Sequence, residues 1–360
     1  MKAAVLHGPK TPLEIEELDL REPRYGEVLV KMKASGVCHS DWHVIKGDWS
    51  HFPFPIVLGH EGAGVVEAIG PGVTHLKEGD HVILVWRTSC GQCEMCQAGR
   101  PALCERSPVT GEKARFQGTD TTVHQMVNLG TFSSYAVVPE VALVPISRDI
   151  PFPQASLVGC AVMTGVGAVI NTANVPPGSS VAIFGAGGVG LNCIQGAVLA
   201  GATTIIVVDL LDAKLERART FGATHTVNAS QDDPVEAILT LTDGKGVHYA
   251  FEAIGLVEAP FVQSIRCTRR RGMTVWVGHA PADTPVTIDA RDLIFEKTVT
   301  ASMYGSARPQ IDFPRLLDLY RTDLLKLDEL VTCTFPLEEI NEAFYVMGKG
   351  EVARSVVVFD

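Results

Sequence analysis

The 360 residues are 46% hydrophobic and 20% charged, ordinary globular composition with enough chain for about two domains. A formal net charge of −11 argues against nucleic acid or an anionic membrane as the main partner, since both reward a basic surface, and favours a small molecule. The N-terminus lacks a signal-peptide core and no uncharged apolar run approaches the ~18 residues of a membrane span, so a cytoplasmic protein is expected, whose nine cysteines are metal ligands or buried thiols rather than a disulfide framework.

From residue 1 to about 85, short alternating apolar runs broken by Gly and Pro predict mostly antiparallel β-structure. A strand over 27–34 feeds into Gly36-Val37-Cys38-His39-Ser40-Asp41-Trp42-His43, where a thiol, a hydroxyl, a carboxylate and two imidazoles crowd eight residues. The glycine predicts that these polar groups sit on a loop, where function concentrates, although a polar turn with a half-buried cysteine has the same composition. His60 and Glu61 follow between two glycines; alone, such a histidine reads as a core residue, but Cys38 upstream and Cys160 downstream make it a candidate ligand.

Cys90, Cys93, Cys96 and Cys104 form C-x2-C-x2-C-x7-C in a segment, about 88–106, with few large apolar residues. Four thiolates close a tetrahedron around Zn²⁺ and leave no open position, so the metal would supply the folding energy that such a lobe lacks. An iron–sulfur cluster or unligated thiols are the alternatives, and the x7 spacing disfavours the ferredoxin pattern. Residues 108–130 are polar, without periodicity, and are expected to form a long loop. Residues 131–138 return as a strand, and 157–165, with Cys160, lead into a helix of small residues.

From Ser179 the texture becomes alternating strands and helices. A strand over 180–184 runs into Gly185-Ala186-Gly187-Gly188-Val189-Gly190 and a helix to about 199, the order of a dinucleotide-binding turn in which glycines let a pyrophosphate approach the helix N-terminus. Asp209 ends the next strand, where a carboxylate can take the ribose hydroxyls of NAD and would repel a 2′-phosphate. Continued alternation to residue 278 implies a doubly wound parallel sheet, and the final strand over 355–359 is expected to rejoin the first domain.

Cys38, His60 and Cys160 together make a Cys₂His set, the composition of a catalytic zinc site with one open position. Through GVCHSDWH, GHEGAGVVE, the four-cysteine lobe, GCxxxTG, GAGGVG and the closing Arg354-Ser355, the whole chain resembles the zinc-dependent medium-chain alcohol dehydrogenases. The resemblance implies an α/β protein, with a Rossmann sheet over 163–303 inserted in a mostly antiparallel, GroES-like catalytic domain of 1–162 and 304–360. It implies two zinc ions per chain, NAD, and oxidation of an alcohol whose proton passes through Ser40 to His43. Asp41 corresponds to the carboxylate orienting the zinc histidine, and Glu61 to a glutamate that visits the metal. His39 and Arg354 correspond to contacts of the pyrophosphate, Thr164 of the nicotinamide, and Asp209 with Lys214 of the adenosine ribose. Trp49 and Trp86 are placed along the substrate pocket, with His279 and Met303 toward its outer part near the nicotinamide.

These positions imply primary aromatic or medium-chain alcohols and the matching aldehydes as substrates, and a homodimer, with a tetramer as the alternative. A formaldehyde dehydrogenase acting on a mycothiol or glutathione adduct shares every motif, but its glutathione-dependent members carry an acidic residue where Trp49 stands. A non-catalytic NAD-binding relative is the alternative of a different class, disfavoured by the intact set of Cys38, His60, Cys160, Ser40 and His43.

Overall fold

Alternation is cleanest in the strand Glu27–Gly36, whose Val28, Val30, Met32 and Ala34 are fully buried. Each large apolar side chain buried there stabilises by roughly 1.5–3 kcal/mol, which makes this strand the spine of its sheet. A computed structural model of the chain describes residues 1–49, 51–107, 111–280 and 284–360. It divides into one unit of Met1–Cys160 with Arg308–Asp360 and a second of Ala161–Ala307.

In the first unit, Glu27–Gly36 pairs antiparallel with Glu61–Ile69, with Tyr135–Pro139 and with the C-terminal strand Arg354–Val358. The strands His81–Leu84 and Leu143–Ile146 extend one side of this sheet and Val331–Pro336 the other. The register sets Val356 opposite Gly36 and Gly36 opposite Glu61, so the C-terminal strand, the end of the spine and the start of Glu61–Ile69 meet at one place. A small closed barrel of Lys2–Leu6, Glu14–Leu20, Ala114–Phe116, Thr122–Gln125 and Ile56–Val57 completes the unit.

Three expectations are corrected here. The residues after Gly36 form a helix, His39–Lys46, not a loop: Asp41 Oδ2 accepts from the Cys38 N–H at its start, Val44 and Ile45 are buried, and Gly47 closes it at φ +80°. The stretch 108–130 is not all loop, because Ala114–Phe116 and Thr122–Gln125 are barrel strands, each too short for alternation to show; Pro108, Val109 and Thr110 lie outside the described residues. Finally, the helix Phe152–Thr172 is long and apolar enough to cross a membrane by length and composition, but 78% of its apolar window is buried inside the protein.

The second unit is a six-stranded parallel sheet in the order His225–Asn228, Thr204–Asp209, Ser180–Phe184, Val247–Glu252, Thr268–Trp276, Thr298–Ala301. The order reverses between Ser180–Phe184 and Val247–Glu252, the switch point at which such sheets bind ligands beyond their strand ends. The helix Gly188–Leu199 follows the glycine-rich turn directly, and a side chain at Gly190 would run into the carbonyl oxygen of Gly185. That contact is the close helix-to-strand packing for which the last glycine of the motif is needed.

Candidate active site and metal centres

Cys38 ends the loop after the spine strand, His60 immediately precedes the strand Glu61–Ile69 that Glu61 opens, and Cys160 lies in a widened π turn, Val158–Val162, of the long helix. Such turns in α-helices recur at functional sites, because they displace one side chain from the helical register. One ligand atom from each of Cys38, His60, Glu61 and Cys160 lies within 4.8 Å of the others. The thiol of Cys38 is held well below its ordinary range by the hydrogen bond from Cys160, against burial, while that of Cys160 is pushed well above it. Burial opposes protonation of His60, but the charges of Asp41 and Cys38 outweigh it and raise its pKa.

Around the set, Asp41 is fully buried, with Oδ1 accepting from Gly59 N–H at 2.9 Å and lying 3.3 Å from His60 Nδ1. This holds the ring through Nδ1, so Nε2 is the ring nitrogen left for a metal. Arg354 Nη2 donates to Glu61 Oε2 at 2.6 Å and to the Val37 carbonyl at 2.9 Å, and both partners of the ion pair are buried. Burial pushes Glu61 up to about 7, against the pull of Arg354. Its Oε1 is buried without a hydrogen-bond partner. An orphaned carboxyl oxygen beside two thiols and an imidazole is costly unless a cation comes within reach. The donor set therefore fits Zn²⁺, with Cys38, His60 and Cys160 as ligands and Glu61 in reserve.

Ser40 and His43 occupy positions i and i+3 of the helix His39–Lys46 and so share a face, while His39 is exposed. His43 is buried, with Nδ1 2.9 Å from Asp48 Oδ2, and Trp49 lies tilted against its ring at 5.3 Å. Trp86 meets the His60 ring edge-on at 6.4 Å. A cavity of about 300 Å³ is lined by Trp86, Arg87, Val127, Asn128 and Leu129, among others. The residues at 127–129 were not anticipated from the sequence; positions in a polar stretch give no signal that their backbone walls a cavity.

The Cys90, Cys93, Cys96 and Cys104 sulfurs also lie within 4.8 Å of one another, and the Cys93–Cys104 pair is 3.9 Å apart. A tetrahedron with Zn–S near 2.3 Å requires about 3.8 Å between sulfurs, so the set fits a closed zinc centre. Backbone N–H groups of Gln92 and Cys93 donate to Cys90 Sγ at 3.4 and 3.3 Å, and those of Cys96 and Glu105 lower Cys93 to about 6, whereas burial pushes Cys96 up to about 12.

In the second unit, Asp209 Oδ2 accepts from Ala186 N–H inside the glycine-rich turn at 2.8 Å, and Oδ1 from Leu210 and Leu211 N–H at 2.8 and 3.2 Å. One carboxylate thus ties the turn to the end of its strand and keeps further lone pairs for a ribose. Lys214 lies in the first turn of the helix Asp212–Thr220. Thr164 is half-buried, while His279 and Met303 are exposed. Sequence reading missed Glu252, which ends its strand with one oxygen accepting from Ile254 and Gly255 N–H and the other buried and unpaired. Burial raises its pKa.

Comparison with known proteins agrees with this chemistry. Residues 24–148 match the alcohol dehydrogenase GroES-like domain and residues 188–322 the zinc-binding dehydrogenase domain. The chain is 41% identical to an NDMA-dependent alcohol dehydrogenase of Amycolatopsis methanolica, covering 99% of this chain and 98% of the relative. It is 38% identical to an S-(hydroxymethyl)glutathione dehydrogenase of Paracoccus denitrificans, covering 99% of each. Benzyl alcohol dehydrogenase of Acinetobacter calcoaceticus superposes with a TM-score of 0.92 at 35% identity, covering 100% of this chain and 99% of that one. With two donor sets that fit zinc, a dinucleotide-binding turn and relatives matched end to end, the chain belongs to the zinc-dependent medium-chain alcohol dehydrogenases.

Proposed function

We propose that this enzyme oxidises primary alcohols with a flat aromatic or linear medium-chain tail, using NAD, and reduces the matching aldehydes. The observation that carries the reading is Trp86 standing edge-on to the metal ligand His60, with a second indole, Trp49, against His43. One indole against the metal ligand His60 and another against His43 support a narrow substrate channel, which would accept a flat or thin tail and reject branching at the carbinol carbon. Zinc, when bound, polarises the alcohol oxygen, and the nicotinamide accepts the hydride.

The chain's own groups do the rest. Asp41 fixes the His60 ring, and Arg354 neutralises the buried Glu61. Ser40 receives the alcohol proton, and His43, one turn along the same helix face and braced by Asp48, passes it on toward solvent. Asp209 selects NAD by repelling a 2′-phosphate. The strand Thr298–Ala301 ends the sheet, and pairing of this edge between two copies would give a homodimer. The charge of −11 supports a small-molecule alcohol or aldehyde as partner rather than nucleic acid or an anionic membrane.

The second reading, a thiol-adduct formaldehyde dehydrogenase, is favoured by the activity in the name of the Paracoccus relative. Trp49 speaks against glutathione, because an indole cannot receive a charged part of that thiol, whereas mycothiol stays open. The deciding experiment is a panel of ethanol, octanol, benzyl alcohol, cyclohexanol and S-hydroxymethylglutathione with free NAD, each with and without low-molecular-weight thiols. Benzyl alcohol should lead and thiols should have no effect; a thiol adduct as the best substrate would reject the proposal.

A further inference from the structure

Among the charged side chains of the described stretch 111–130, Lys113 alone is buried, at 3% exposure. Its backbone is anchored: the Lys113 carbonyl accepts from Arg21 N–H at 3.0 Å, Arg21 Nε donates to the Glu112 carbonyl at 2.9 Å, and Ala114 pairs with Leu20. Arg21 is itself forked onto the buried carboxylate of Glu27 at 2.5 and 2.7 Å. From this fixed base Lys113 Nζ donates to the carbonyl oxygen of Asn128 at 2.6 Å.

That carbonyl belongs to a strained turn, in which Val127 has φ +44° and Asn128 φ +67°. A β-branched residue at positive φ persists only where its surroundings over-determine it. Val127, Asn128 and Leu129 line the cavity that Trp86 also lines. We propose that Lys113 is a positioning residue for the substrate pocket: held on the Asn128 carbonyl, it keeps this turn left-handed and so sets Val127 and Leu129 beside Trp86. The inference rests on the reading of Trp86 as a wall of that pocket.

The test combines hydrogen exchange with kinetics on the zinc-loaded enzyme. The N–H groups of Leu129 and Gly130 both donate to the Met126 carbonyl, at 2.9 and 3.3 Å. In Lys113→Met their exchange should quicken about tenfold or more, while the spine strand Glu27–Gly36 keeps its protection. The KM for benzyl alcohol should rise about tenfold with kcat retained, and the KM for ethanol should change less than about twofold. Adding Asn128→Gly should recover part of the benzyl alcohol KM, because glycine takes the positive φ of position 128 without being held, whereas Val127 keeps its own strain. The double variant also keeps the test open if Lys113→Met does not fold, and its own failure to fold would overturn the proposal. Unchanged exchange at 129–130, or one common factor on both KM values, overturns it as well. Faster exchange in the variant of a wild-type enzyme inert toward benzyl alcohol would support the positioning role and reject the substrate reading.

Discussion

Removing the Lys113 amine should change how stability depends on pH. Burial pushes this amine down to about 7 from its ordinary 10.5, with Glu27 opposing and Arg21 adding to the effect. The other charged groups nearby are engaged with each other, Arg115 with Glu112 and Asp120. Below about pH 7 the group is charged in both folded and unfolded chains, and the cost of burying the charge is borne in full. Between about 7 and 10.5 the folded chain has lost a proton that the unfolded chain still binds, so stability rises with pH across that window. Lys113→Met has no such proton, and the difference between wild type and variant should therefore climb. At roughly 1.4 kcal/mol for each pH unit, the step from pH 7 to 9 has a ceiling of about 2.7 kcal/mol. Relaxation and water entry around the amine reduce this to about 1–2 kcal/mol. Urea denaturation of both proteins at the two pH values measures the change, and titrations common to both cancel in the difference. A difference that stays flat refutes the burial argument, and one that falls with pH would mean that Glu27 dominates.

Trp86→Ala should admit secondary alcohols and lower kcat/KM for benzyl alcohol about five- to tenfold, since some 40–60 Å² of apolar contact is lost at about 25 cal/mol per Å²; an unchanged primary-to-secondary ratio removes Trp86 from the pocket. Asp209→Gly should narrow the preference for NAD over NADP and, by releasing the Ala186 N–H, raise the KM for both cofactors; a wild type already faster with NADP contradicts this. Cys93→Ser should lower stability and solubility, whereas Cys160→Ser should abolish turnover with folding largely kept, because only the first opens a closed four-sulfur centre; elemental analysis of the wild type should find two zinc ions per chain. Sedimentation equilibrium should give two chains per particle, and four would reject pairing at the Thr298–Ala301 edge alone.

The sequence was most legible where the signal is local. Four cysteines within fifteen residues, a glycine-rich turn between a strand and a helix, and an aspartate at the next strand end each constrain backbone or chemistry over a short span. The helix Pro234–Leu241, opened by Asp233 accepting from Val235 and Glu236 N–H, carries the same kind of local punctuation. Elements without such punctuation were missed, among them the helix Glu258–Arg266 and the strands Thr298–Ala301 and Val331–Pro336, whose places are fixed by packing against distant neighbours.

By itself, then, the sequence determined the ligand types, the family and the two kinds of sheet. Tertiary structure alone decided what those groups face. Glu61 and Arg354 are 293 residues apart and meet because the C-terminal strand pairs with the spine opposite the strand that Glu61 opens. Lys113, one residue of the polar stretch 108–130, is turned inward by barrel pairing too short to leave a periodic trace. Burial, an ion pair and a strained turn are properties of neighbours in space, and periodicity along the chain carries no record of them.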